Sequence, residues 1–139
     1  MNHWRRCARA TIVALVLSAL GACRPRAESA PRSFDQSVEE LVRCVFDDPS
    51  AMLAPHGQAA LEASIRRALR EDRYRFSIRA GRCGGALDER LRTSDPRARA
   101  LGDAWDALLP LAQAQAPDDI ALERAIRRIG VAFRGARGR

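Results

Sequence analysis

The chain has 139 residues, 47% of them hydrophobic and 29% charged, and 24 Lys+Arg against 17 Asp+Glu leave a formal net charge of +7. That length accommodates one small domain, and the mixture of apolar and charged residues is that of a globular chain rather than an unfolded one. No run reaches the roughly 18 consecutive apolar residues of a membrane-spanning helix, which excludes a polytopic transporter.

The basicity is concentrated at the ends. All 24 basic residues are arginine, a bias that a GC-rich genome explains without a functional cause. Arg5, Arg6 and Arg9 open the chain, Arg24, Arg26 and Arg32 follow soon after, and Arg134, Arg137 and Arg139 close it, so that residues 33–133 hold 15 Arg against 16 acids. A nearly neutral body of this kind does not point to nucleic acid, and no nucleic-acid partner is expected. Inside the body the charge is polarised, with a net −5 over residues 33–65, +5 over 66–82 and −1 over 83–133. Two oppositely charged surfaces folded side by side account for this. An exposed arginine patch for an anionic partner is the sharper alternative.

In chain order, the first element is a leader. Residues 1–9 are basic without an acid, and residues 10–20 (ATIVALVLSAL) are apolar over 11 residues, the pattern of a secretory signal too short to anchor by itself. It ends Leu20-Gly21-Ala22-Cys23. Here the chain resembles the bacterial lipoproteins, whose lipobox sets a leucine and two small residues before a cysteine. The resemblance covers residues 1–23. It implies cleavage after Ala22, a diacylglycerol on Cys23 and N-acylation with a further chain such as palmitate, and two or three chains anchor stably where one does not. Arg24 stands where an Asp favours inner-membrane retention in the Gram-negative pattern, so outer-membrane anchoring facing the periplasm is the expected location. Residues 23–32 (CRPRAESAPR) have two prolines and no apolar period, and read as a disordered tether whose arginines are attracted to an anionic membrane surface.

With Cys7 removed and Cys23 lipidated, Cys44 and Cys83 remain as an even pair in an oxidising compartment, and one structural disulfide is expected. From Ser33 a helix follows, with Phe34, Val38, Leu41, Val42 and Val45 on one face and Ser33 and Gln36 spaced as a capping box. Residues 47–50 (DDPS) stop it. After the Pro55-His56-Gly57 loop a second helix, with Leu61, Ile65, Ala68 and Leu69 on one face, is predicted to end near Asp72, its outer side supported by Glu62 with Arg66 and Arg67 with Glu71. Residues 73–79 (RYRFSIR) alternate apolar and polar, the period of a half-buried extended segment or edge strand, and residues 81–85 form a flexible corner that brings Cys83 to Cys44.

Residues 86–92 read as a short helix carrying Leu87 and Leu91. Ser94-Asp95-Pro96 starts the next, with Leu101, Trp105, Leu108 and Ala112 on one face and Pro110 expected to kink or break it. Pro117-Asp118-Asp119 starts the last, with Leu122, Ile126, Ile129 and Phe133 in register, and residues 135–139 are a flexible tail. The domain expected over 33–134 is therefore all-α. It is a small bundle of about four main helices with one extended segment at 73–79 and one disulfide.

Catalytic motifs are missing. There is no G-x-S-x-G, H-E-x-x-H, P-loop or G-x-G-x-x-G, and His56, the one histidine left after the leader, has no cysteine or motif serine beside it. Adjacent acids such as Asp118 and Asp119 suit helix starts. No catalytic residue, metal ligand or cofactor is therefore assigned. The best binding candidate is the row Arg73, Arg75 and Arg79, whose guanidinium forks suit the carboxylates or phosphates of a partner, a lipid headgroup or a polysaccharide. A charged edge kept soluble is its structural counterpart. The expectation is a lipid-anchored envelope protein that binds or scaffolds another envelope protein without catalysis. Direct binding of anionic lipid or polysaccharide, and a small periplasmic enzyme or inhibitor built around His56 and two carboxylates, are the alternatives. In general shape the expected protein is similar to the helical secretin pilotins, an analogy of fold without matched motif residues.

Overall fold

A computed structural model of the protein describes residues 32–137; the leader, Cys23 and most of the tether lie outside them. Among the described residues six helices follow in order: α1 (Phe34–Val45), α2 (Ser50–Leu53), α3 (Gln58–Cys83), α4 (Glu89–Ser94), α5 (Pro96–Gln113) and α6 (Asp119–Arg137), with a 3-10 turn (Gly84–Ala86) between α3 and α4. No strand occurs among the described residues, and none of their helices is long and apolar enough to cross a membrane. The all-α bundle with one disulfide is the architecture observed.

The helix starts follow from local chemistry. Ser33 accepts from the backbone of Gln36, and the Gln36 side chain accepts from the backbone of Ser33, closing the capping box. Asp88, Asp95 and Asp118 each accept backbone N–H groups at the starts of α4, α5 and α6. α5 and α6 run back on each other through the short loop 114–118, α3 packs on both, and α1 lies across α3. The shared core takes Val38 and Leu41 from α1, Leu61 and Ile65 from α3, Leu101, Trp105 and Leu108 from α5, and Ile126, Ile129 and Phe133 from α6. Every one of these stands in an i, i+3 or i+4 stripe of the sequence.

Residues 73–79 are not extended. α3 consists of two helical runs, 58–71 and 73–83, joined at Asp72, whose backbone (φ −157°, ψ 87°) is out of the helix. The Asp72 carboxylate accepts from the backbone N–H of Arg75 at 2.9 Å and so caps the second run. The alternation of Tyr74, Phe76 and Ile78 concealed a helical stripe, in which Phe76, Ala80 and Cys83 are buried while Tyr74 and Ile78 face outward. A stripe that meets the core of α5 outweighs a three-member alternation with no strand to pair with.

Two smaller expectations also change. Pro110 neither breaks nor ends α5, which runs on to Gln113; the proline is exposed and one turn from the helix end, where few backbone bonds depend on it. The last helix continues through residues 135–137 and so takes in most of the segment expected as a tail, with the Arg137 guanidinium donating to the Leu53 carbonyl. The short helix predicted at 86–92 sits slightly later, with Leu87 buried just before it.

Arg66 joins α3 to α6. Its guanidinium donates to both carboxylate oxygens of Glu123, at 2.6 and 3.0 Å, and lies 3.7 Å from Glu62. The expected Glu62–Arg66 pair is present, whereas Arg67 and Glu71 form no ion pair among the described residues. The hydrogen bonds from Arg66 hold the Glu123 carboxyl below its ordinary value, and those from Arg97 do the same to Asp95 at the start of α5. Depressed carboxylates stabilise the fold above the ordinary carboxylate range and lose that contribution as the pH falls through their lowered folded values. Acid unfolding of the Glu123→Gln variant is therefore expected to depend less on pH below about 4 than that of the parent, measured by circular dichroism across a pH series.

The turn into α3 is tight. His56 takes a left-handed backbone (φ 61°), and a Cβ on Gly57 would stand 1.9 Å from the Met52 carbonyl oxygen. Backbone would have to move to admit it. Gly57→Ala is expected to destabilise the domain by about 2 kcal/mol or more, read from urea unfolding.

Candidate functional site

The kink of α3 faces the end of α1. Cys44 and Cys83 are joined by a disulfide with Cα atoms 5.7 Å apart, which ties the last turn of α1 to the last turn of α3. Next to it Arg79 donates to the Cys44 carbonyl and to Asp47, both at 2.9 Å. These contacts hold the 44–48 segment beside the second run of α3 and leave a groove of about 420 Å³ along the kink. Its floor is apolar: Val45, Phe46, Met52, Ala68 and Phe76, with the Phe46 and Phe76 rings 6.4 Å apart and tilted. Its rim alternates in charge, with Arg67, Arg75 and Arg79 among Asp47, Asp48, Glu71 and Asp72. Part of that rim is already committed. Asp47 pairs with Arg79, Asp72 caps its helix, and hydrogen bonds from the Ser50 hydroxyl and backbone hold the Asp48 carboxyl below its ordinary value.

The sequence row Arg73, Arg75 and Arg79 is not a row in the fold. On a helix Arg73 and Arg75 point to different sides, and Arg73 donates to the Gln115 carbonyl at 3.3 Å. Arg79 is turned toward the disulfide, so only Arg75 is exposed without a side-chain partner among the described residues. The basic block meets the acidic one through Arg79 with Asp47 and Arg66 with Glu62. Arg67, Arg70, Arg75 and Arg82 remain exposed and outside any ion pair among the described residues. The charge polarity is thus partly neutralised and partly displayed.

His56 lies in a second groove, of about 640 Å³, with Pro55, Gln58, Phe133, Arg134 and Arg137. Glu62 is the carboxylate that lines it. Among the described residues no three His, Cys, Asp or Glu side chains converge as metal ligands do. Sequence reasoning missed the kink groove altogether. Its floor joins Phe46 and Phe76, 30 positions apart, and the one local signal was an Asp three residues before Arg75, a helix-start spacing hidden inside a helical run.

No protein-family model matches the chain, and comparisons with curated proteins and with solved structures find no match.

Proposed function

We propose that this protein is a lipid-anchored module of the cell envelope that holds a segment of another envelope protein and performs no catalysis. In this reading residues 1–22 direct export, acyl chains on Cys23 fix the protein to the outer membrane facing the periplasm, and the helical domain is presented on the tether. The lipobox supports the address, and a Cys44–Cys83 disulfide suits an oxidising compartment.

The observation that carries the binding role is the kink groove. An apolar floor with two aromatic rings offers anchor sites, and a rim of mixed charge sets register and excludes mismatched segments, the division of labour found in protein interfaces. Of the four carboxylates on the rim, Asp47 is paired with Arg79, Asp48 accepts from Ser50 and Asp72 caps the second run of α3, which suits them to shaping the groove.

Two variants test the two parts separately. Cys23→Ser is expected to release the chain from the membrane fraction, and persistent association would refute the anchor. Ala68→Gln fills the groove floor and Arg67→Glu reverses one charge of its rim. Each is expected to lower the yield of a stoichiometric partner crosslinked in intact envelopes about tenfold or more, with thermal stability of the domain little changed. Undiminished capture by both variants would refute the groove as the docking site.

A further inference from the structure

We propose that the outward face of the second run of α3 is a membrane-contact surface, through which the domain lies against an anionic bilayer; this rests on the lipid anchor at Cys23. Tyr74 and Ile78 are one turn apart on that face, 76% and 50% exposed. A turn further on stands Gly81, where a Cβ would meet nothing within 4 Å. Tyr74 is the sole tyrosine of the chain. Its apolar ring and polar hydroxyl suit the headgroup level of a bilayer, where such rings gather.

Charge selects the kind of surface. Arg75 and Arg82 flank the two apolar side chains, both exposed and outside any ion pair among the described residues. The shallow groove that they form with Arg79 and Ile78 contains a single carboxylate, Asp47, already paired with Arg79. It therefore carries excess positive charge, unlike the mixed rim of the kink groove. Anionic headgroups attract such a surface at close range.

The modest size of the patch also fits a bilayer better than a diffusing protein. A stable protein interface needs about 1,000 Å² of buried surface or more, beyond what two exposed apolar side chains and their neighbours supply. A tethered domain has no such requirement. Nine residues separate Cys23 from Ser33, a reach of at most about 35 Å, and at such short range the effective concentration makes a weak contact productive.

The test uses the lipidated protein extracted from membranes and reconstituted in phosphatidylethanolamine vesicles, with or without phosphatidylglycerol, carrying brominated acyl chains. Tyr74→Trp places a reporter on this face. Val131→Trp places one on α6, beside Arg127 and Arg128, at a residue that is 57% exposed. The native Trp105 is buried and common to both. Bromolipid quenching is expected to be severalfold stronger at residue 74 than at 131, to increase with phosphatidylglycerol, and to lose its preference when Arg75→Glu and Arg82→Glu are combined. Equal quenching at the two positions, or indifference to phosphatidylglycerol, would overturn the inference. So would an emission shift of the Tyr74→Trp variant that occurs only with solubilised envelope proteins, which would make the face a protein contact. Intact mass separates the two readings: a chain without acyl groups overturns the anchor and this surface with it, whereas equal quenching on an acylated chain overturns this surface alone.

Discussion

Replacing Cys44 and Cys83 together by serine is expected to lower the stability of the domain by about 4 kcal/mol, because the bridge spans a sequence separation of 39 residues and removes the corresponding loop entropy from the unfolded chain. Small domains have only about 5–15 kcal/mol to lose. The expected fall in midpoint is on the order of 20 °C by calorimetry, or a matching shift in urea. The loss would also reach the binding site. The disulfide and Arg79 are what hold the 44–48 wall against α3, so the serine pair is expected to weaken capture at the groove beyond what global stability explains. Thiol labelling of the unfolded, unreduced protein is expected to find neither cysteine free. A change below about 1 kcal/mol would mean that the remaining core alone holds α1 to α3.

Trp105→Ala is expected to cost about 4 kcal/mol, the scale of emptying a large aromatic site. Trp105 is 1% exposed at the meeting of α5 with the second run of α3, and its indole N–H donates to the Ala80 carbonyl at 3.0 Å. It also packs against the backbone at Gly84, where a Cβ would stand 3.4 Å from the ring. Trp105→Phe keeps most of the apolar volume and removes the indole donor, while the Ala80 carbonyl still accepts from the Gly84 backbone N–H, for an expected loss of about 1 kcal/mol. Equilibrium unfolding of the two variants separates the packing contribution from the hydrogen bond. If the two variants lost equal stability, the ring volume would not be what seats α3 on α5.

Much of this fold was legible because its helices obey one rule. The stripes of α1, α5 and α6 name the core residues that the structure buries, and Ser33, Asp95 and Asp118 mark their starts. The disulfide was legible from arithmetic, since setting aside the cysteines of the expected leader and lipobox leaves Cys44 and Cys83 as one pair. Residues 73–79 misled because a helix and a strand both place Phe76 inward, and only the tertiary partner decides between them. Trp105, bonded to the Ala80 carbonyl, is that partner.

The candidate site was less legible, for a related reason. The kink arises without proline or glycine, at an Asp whose side chain captures a backbone N–H, so nothing in the composition marks it. The arginine block was visible as charge. Which members face solvent was not, because Arg79 is drawn inward by the Cys44 carbonyl and Asp47, groups that lie 35 and 32 positions away in sequence.

The central claim is that the kink groove seats a protein segment. It is tested most directly by placing a photo-crosslinking residue at position 46, on the groove floor, and another at position 120, an exposed site on α6, in the lipidated protein in living cells. One protein adduct is expected from position 46, absent from position 120 and lost when Ala68→Gln is added. Adducts of equal yield from both positions, or none from position 46 in cells where the protein is membrane-anchored, would contradict the claim.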